Sequence, residues 1–312
     1  MKSIGFIIPN YPNEKRVALL PCDILPTFNF SNIFIEKGFG RNVGIDDAFY
    51  ENAGCTILSR EEVFAKSDII FSLKLIQPSD YKYLRNGHII LGWTHPFGSG
   101  SNFYRTVCKE KNIVIIDIDS TCPRILCGDN VSIIKEIPIG FCAENSYVAG
   151  YASCFHALLS FGTFFDTDKK IAILSSGNVA QGAFNLMSKL GFKPRIFYRK
   201  TLNVFFEEMN SFDIIVNGIE LESGHIITKE DTKKLKQGCL IIDAAADAGG
   251  AIEFTSFTSI ENPINDFEGI KYYCVNNAPT ILYKDVSPIL SKLFSKYIFS
   301  LNYDSILKRY LK

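Results

Sequence analysis

Residues 170–184 read KIAILSSGNVAQGAF: a short apolar run, a turn of small side chains, then a pattern that suits a helix. An apolar run of this length bounded by small residues reads as a buried strand. Small side chains in the turn let a backbone approach a ligand closely. The N-terminus of the helix that follows offers unpaired N–H groups to a phosphate. The order is that of the dinucleotide-binding fingerprint, with Ser175, Gly177 and Ala180 at its three glycine positions. Ser175, Ser176, Gly177, Asn178 and Val179 are the candidate pyrophosphate contacts, and a tight turn without a ligand is the competing reading of this loop alone.

The next apolar run ends in RIFYRKT and places Tyr198, Arg199 and Lys200 about 20 residues beyond the loop. A carboxylate there would accept from a ribose 2′-hydroxyl, whereas a 2′-phosphate calls for cations. Two consecutive cations and no acid favour NADP over NAD, with a solvated strand end as the alternative.

Outward from this loop, apolar runs alternate with amphipathic ones. KIAILSS, PRIFYR, FDIIVNG, GCLIIDAAA and IKYYCVNNA form one set; SIGFII, NIFIEKG, CTILS, DIIFSLKL, HIILGWT and NIVIIDID form an earlier one. Such alternation predicts parallel α/β sheets. The expected fold is two Rossmann-like, doubly wound parallel-sheet domains separated by an active-site cleft. ENSYVAGYASCFHALLSFG (144–162) lacks proline and suits a connecting helix. The last stretch, from Asp285, is helical in pattern with Ser287 and Pro288 as its start signal. A terminal helix packing back on the first sheet gives a discontinuous substrate domain, 1–140 plus 285–312, and a dinucleotide-binding domain, 141–284.

The 312 residues carry 33 basic and 33 acidic side chains, so no general attraction to nucleic acid or an anionic membrane is expected. No run approaches the roughly 20 apolar residues of a spanning helix. Nine cysteines are spread out, without CxxC pairs or metal-ligand spacing, and read as reduced thiols used as small apolar residues. A soluble, cytoplasmic chain without a metal site is the expectation.

Residues 71–100, FSLKLIQPSDYKYLRNGHIILGWTHPFGSG, hold two polar intrusions at matching ends of neighbouring apolar runs, Lys74 and His95. With Arg16 after the first run, they bring three basic groups to the C-terminal edge of a parallel sheet, where ligands bind. Arginine can grip a carboxylate bidentately. A desolvated lysine can hold a second oxygen or shuttle a proton, and histidine titrates in the range for acid–base work. Singly, each is better explained as surface or core. Trp93 and Phe97 flank His95 as candidate walls, and Asp117 and Asp119 are either a solvated edge or a site for an ammonium group. His156 reads as a core histidine, and His88 and His225 read as exposed turn residues.

EKRVALLP, IEKGFG, SLKLIQP, LGWTHPF, GNVAQGA, IIDAAADAGG and YYCVNNAP resemble, in order, the alanine dehydrogenase and pyridine nucleotide transhydrogenase superfamily. Within it, the wording is closest to the carboxyethylornithine synthases. The resemblance implies an NADPH-dependent reductive condensation of pyruvate with the side-chain amine of ornithine, or of lysine, in a homo-oligomer, tetramer or dimer. It places the family's substrate-site Arg, Lys, His and Asp on Arg16, Lys74, His95 and Asp247, with either His95 or Lys74 as the proton donor. It also puts cofactor contacts at Ser146, Gly218 and Asn277; an N-cap, a strand end and a turn residue are the respective structural alternatives. The glycine loop begins with a serine, and ADAGG departs from the usual DQGG wording. An alanine dehydrogenase, a saccharopine dehydrogenase-like enzyme, for whose distal carboxylate Arg41 and Arg124 are available, and a non-catalytic cofactor-binding protein are the other readings.

Overall fold

A computed structural model describes residues 1–119, 122–221 and 223–311. The chain divides into two compact units, Met1–Cys142 with Tyr283–Lys312, and Ala143–Leu282.

The strands of the first unit are β1 (Ile4–Phe6), β2 (Ile33–Glu36), β3 (Thr56–Leu58), β4 (Ile69–Ser72), β5 (Ile89–Gly92), β6 (Val114–Asp117), β7 (Arg124–Cys127) and β8 (Asn130–Ile133). Among the described residues they form one sheet in the order β3-β2-β1-β4-β5-β6-β7-β8. β1 to β6 run parallel. Their unbroken isoleucine and phenylalanine runs are buried on both faces in β4, β5 and β6, as a covered parallel sheet requires. β7 and β8 add an antiparallel hairpin, which the alternation of strand and helix in the sequence does not anticipate. Its signal is the two-residue Gly128-Asp129 turn, with Gly128 at φ +58°.

The second unit holds β9 (Ile171–Leu174), β10 (Arg195–Phe197), β11 (Ile214–Asn217), β12 (Leu240–Asp243), β13 (Ile264–Phe267) and β14 (Ile270–Tyr273), in the order β10-β9-β11-β12-β14-β13. All pairs are parallel except β13 with β14. Each unit is thus an α/β layer fold built on a mostly parallel sheet.

The 144–162 stretch folds as the helix Ala143–Phe161. It crosses the helix Asn178–Lys189 at two glycines. A Cβ on Gly150 would lie 1.8 Å from the Val179 carbonyl oxygen, and one on Gly182 1.9 Å from that of Tyr147. The backbones touch there.

The terminal segment belongs to the first unit. Its helix begins at Tyr283 rather than at Ser287, and Pro288 lies inside it. Ser287 is no cap; its hydroxyl donates to the Tyr283 carbonyl and accepts from Val17 N–H at 2.9 Å. Ser291 accepts from Leu20 N–H at 2.8 Å, and the Tyr50 hydroxyl donates to the Leu19 carbonyl at 2.8 Å. Residues 16–20 form no strand or helix, so their buried backbone groups need such side-chain partners. Phe294 and Phe299 pack on Phe71, with Phe299 also 5.0 Å from Phe6. The terminal helix therefore fixes the segment that begins with Arg16. Among the described residues, no helix is long and apolar enough to cross a membrane.

Candidate active site and cofactor loop

β4 and β5 end in register, Ser72 opposite Gly92. Lys74 and His95 follow two and three residues beyond these ends. Gly92 adopts φ +150°, and a Cβ there would lie 1.8 Å from the Ser72 carbonyl oxygen, so only glycine lets the two strand ends meet. His95 takes φ +43° directly before Pro96, a left-handed conformation that proline disfavours in its predecessor. The N–H groups of Gly98 and Gly100 hold it there by donating to the His95 carbonyl at 3.0 and 2.9 Å.

β1, the neighbour of β4 on the other side, sends its chain on to Glu14 and Arg16. β1 ends at Phe6, so Arg16 follows a loop rather than the strand itself. Arg16 is buried and donates through Nε and Nη2 to the two oxygens of Glu14, at 2.8 and 2.6 Å. Glu14 was not anticipated from the sequence. Burial works to raise its carboxyl, but the Arg16 charge and hydrogen bonds prevail and hold it at about 2.

Trp93, 2% exposed, is shared by two cations. The Arg16 guanidinium carbon lies 5.0 Å from its ring centroid and the Lys74 ammonium 5.6 Å. Lys74 also lies 5.2 Å from the Tyr11 ring. Aromatic faces attract cations, yet Lys74 remains costly to charge. Desolvation and then the like charge of Arg16 bring its pKa down to about 8, against the pull of Asp119 and Glu14.

His95 Nδ1 lies 2.9 Å from Asp119 Oδ2. Desolvation acts to lower the imidazole, but the hydrogen bond and charge of Asp119 raise it overall. Asp119 is correspondingly held below its usual range, because the same bond outweighs its burial. Asp117, at the end of β6, accepts from the N–H and hydroxyl of Thr94 at 3.1 and 2.8 Å and is raised by desolvation. The two acids therefore support the His95 loop. Phe97 stands 60% exposed, so of the two expected walls only Trp93 is buried.

The remaining histidines are elsewhere. His88 is fully buried rather than exposed: Arg85 N–H donates to its Nδ1 at 3.1 Å and its Nε2 meets the Phe64 carbonyl at 3.1 Å. Desolvation first, with Arg85 adding to it, lowers it to about 4. His156 is half-buried with Nδ1 3.2 Å from the Tyr273 hydroxyl, and His225 is exposed.

In the second unit the loops after β9, β10 and β11 are tied together. Ser175 N–H donates to the Phe197 carbonyl at 2.8 Å and Gly218 N–H to the Leu174 carbonyl at 2.9 Å. Ser175 adopts φ +119°, a conformation made for glycine, at the fingerprint position where glycine is usual. Its hydroxyl accepts from Gly177 N–H at 3.0 Å, which compensates in part. Gly177 caps the helix Asn178–Lys189, and Ser176, Gly177 and Asn178 are exposed at its N-terminus, with Val179 half-buried. A Cβ on Gly218 would lie 3.2 Å from Ala180 N, so this side of the loop must stay bare. At the end of β10, Tyr198 and Thr201 close a turn through the Tyr198 N–H and the Thr201 hydroxyl at 3.0 Å. Arg199 and Lys200 are exposed at that turn, with no ion pair among the described residues.

Asp247 belongs to this second unit, and Arg16, Lys74 and His95 to the first. Its Oδ2 is buried without a hydrogen-bond partner among the described residues, under the turn closed by Gly250 N–H on the Asp247 carbonyl at 2.8 Å. Asn277 is buried at φ +89°, beyond the end of β14. Ser146 is half-buried in the first turn of the Ala143–Phe161 helix, past the cap position that one reading gave it.

The alanine dehydrogenase/PNT family models match residues 10–128 (N-terminal domain) and 167–311 (C-terminal domain). The chain is 50% identical to an N(5)-(carboxyethyl)ornithine synthase of Clostridium botulinum over 95% of this chain and 94% of that one. It is 49% identical to one of Lactococcus lactis, over 95% and 96%. The fold is similar to that of a solved L-alanine dehydrogenase, with a TM-score of 0.78 at 16% identity over 98% of this chain and 91% of that one.

Proposed function

Because the chain belongs to the alanine dehydrogenase/PNT family of nicotinamide-nucleotide oxidoreductases, we propose that it joins pyruvate reductively to the side-chain amine of L-ornithine, or of L-lysine, using NADPH. The observation that carries this reading is Lys74 and His95 just past the ends of adjacent parallel strands, with Asp119 on His95 and Arg16 sharing the Trp93 ring with Lys74. The names of the relatives that are half identical over nearly the whole chain support the substrate pair.

Arg16, oriented by Glu14, and Lys74 bind the carboxylate and carbonyl of pyruvate. The amine nitrogen attacks the keto carbon, and His95 moves the protons that convert the adduct to a carbinolamine. It then protonates the departing hydroxyl, so that water leaves and an imine forms. Lys74, whose ammonium is only weakly favoured at about pH 8, polarises the carbonyl oxygen at the start. The bound cofactor supplies the hydride that reduces the imine carbon. The balance is pyruvate, amine, NADPH and a proton to carboxyethyl amino acid, NADP and water.

We assign the loop Ser175–Val179 with Gly218 to the pyrophosphate and Tyr198, Arg199 and Lys200 to the adenosine end. Ser146 and Asn277 are assigned to the nicotinamide, and Asp247 to its ribose or to the substrate amine. A cytoplasmic homo-oligomer, tetramer or dimer, completes the reading; light scattering tests its size.

The test is NADPH oxidation with pyruvate plus ornithine, lysine or ammonia. Activity with ornithine or lysine and none with ammonia is expected. Activity with ammonia alone would make the protein an alanine dehydrogenase.

A further inference from the structure

We propose that Arg124 forms a carboxylate subsite beside His95, which takes the α-carboxylate of the amine-bearing amino acid and so selects amino acids over plain amines. The inference rests on the function proposed above and names how its second substrate is recognised.

Arg124 opens β7 and is the cross-strand partner of Asp117 on β6. Asp117 supports Thr94, and Asp119, two residues on, holds His95. Arg124 thus belongs to the strand next to the acids that position the imidazole. Partners across an antiparallel pair have Cα atoms about 5 Å apart, close enough for an arginine and an aspartate to pair. They do not. Arg16, Arg60, Arg195 and Arg309 each hold a carboxylate, whereas Arg124, like Arg41, Arg85, Arg105 and Arg199, has no ion pair among the described residues. Its guanidinium carbon lies instead 5.4 Å from the ring centroid of Phe97.

Phe97 is the large exposed aromatic two residues beyond His95. An arginine laid on an aromatic face keeps its N–H groups in the plane of the fork, pointing away from the ring. The group is half-buried and charged, and it lies over the Phe97 ring rather than against an acid. That is an arrangement suited to receiving a carboxylate bidentately.

The dimensions agree. In extended ornithine the reacting nitrogen and the carboxyl carbon are roughly 6 Å apart, from five ordinary bonds. That is near one strand spacing. His95 follows β5, two spacings from β7, but its ring is held at Asp119, just beyond the end of β6, so an amine reacting there would bring its carboxylate about as far as β7 lies from β6.

The experiment compares L-ornithine with 1,4-diaminobutane, the same chain without the carboxylate, in the wild type, Arg124→Gln and Arg124→Lys. In Arg124→Gln the KM for ornithine is expected to rise about 10- to 100-fold, the loss of one charge-assisted pair. The KM values for pyruvate and NADPH should stay within about twofold, a split that a distorted loop would not give. The kcat/KM preference for ornithine over the diamine should fall by the same factor, and Arg124→Lys should recover part of it. An unchanged ornithine KM, or one that rises together with the KM for pyruvate, overturns the subsite. So does a wild type that uses the diamine as well as ornithine, while leaving the proposed function standing. A wild type that turns over pyruvate with no amine overturns the proposed function and the subsite with it.

Discussion

His95 Nδ1 lies 2.9 Å from Asp119 Oδ2, which commits that nitrogen to a carboxylate and leaves Nε2 to exchange protons with a substrate. The partnership raises the imidazole pKa despite its desolvation. Replacing Asp119 with Asn removes the negative charge, so the kinetic limb that belongs to His95 should move to lower pH. A pH profile of kcat/KM checks this, and a limb that stays in place would separate Asp119 from the chemistry. His95→Gln should lower turnover about 100- to 10,000-fold with the thermal midpoint little changed.

Lys74 is a buried ammonium whose folded pKa, about 8, lies below the ordinary lysine value of 10.5. Between these values the unfolded chain binds the proton and the folded one does not, so stability attributable to this group rises with pH across that window. Lys74→Met should abolish activity and yet stabilise the fold at pH 7, by up to about 3 kcal/mol. The gain should shrink from pH 8 towards 10.5. Urea denaturation at pH 7 and 9.5 reads both.

Arg199 and Lys200 are exposed at the end of β10 without an acid partner among the described residues. The double change Arg199→Gln, Lys200→Gln should raise the KM for NADPH roughly 10- to 100-fold and leave that for NADH nearly unaltered. Equal or tighter binding of NADH by the wild type would remove the assignment to NADP.

His88 is buried and neutral, with its pKa lowered to about 4. The unfolded chain takes up a proton near pH 6.5 and the folded one does not, so stability should fall as pH drops from 6.5 to 4, by up to about 3 kcal/mol. His88→Asn should flatten this part of the stability curve. Guanidinium titrations at pH 7 and 5 measure it.

Much of the first sheet is legible because each parallel strand is an unbroken apolar run, and Lys74 and His95 stand out as the charges that end two of them. What escapes is decided by tertiary context. Glu14 resembles any charged residue of an NEKR stretch until burial forces it onto Arg16. Asp119 reads as a solvated acid because nothing in IIDIDS announces the turn that brings His95 back to it. His88 follows Gly87 and so suggests a surface turn, but its ring fills a place beneath Phe64. The serine face of the terminal helix resembles a start signal at Ser287 and Pro288, yet its hydroxyls serve the backbone of residues 17–20. The β7–β8 hairpin turns on Gly128-Asp129, a short-range cue outweighed by the alternation around it.

The close approach of the two helices at Gly150 and Gly182 restricts how this protein can be improved. Replacing a mid-helix glycine with alanine is an ordinary route to a more stable protein, gaining roughly 1 kcal/mol where space allows. Here a methyl at either position would meet a carbonyl oxygen of the other helix within 2 Å. Relief would require the Asn178–Lys189 helix to slide, carrying Gly177 and the exposed N–H groups of the glycine loop with it. Consensus or alanine-scanning design would score both sites as inexpensive gains, and at both the Ser175–Val179 loop would be displaced.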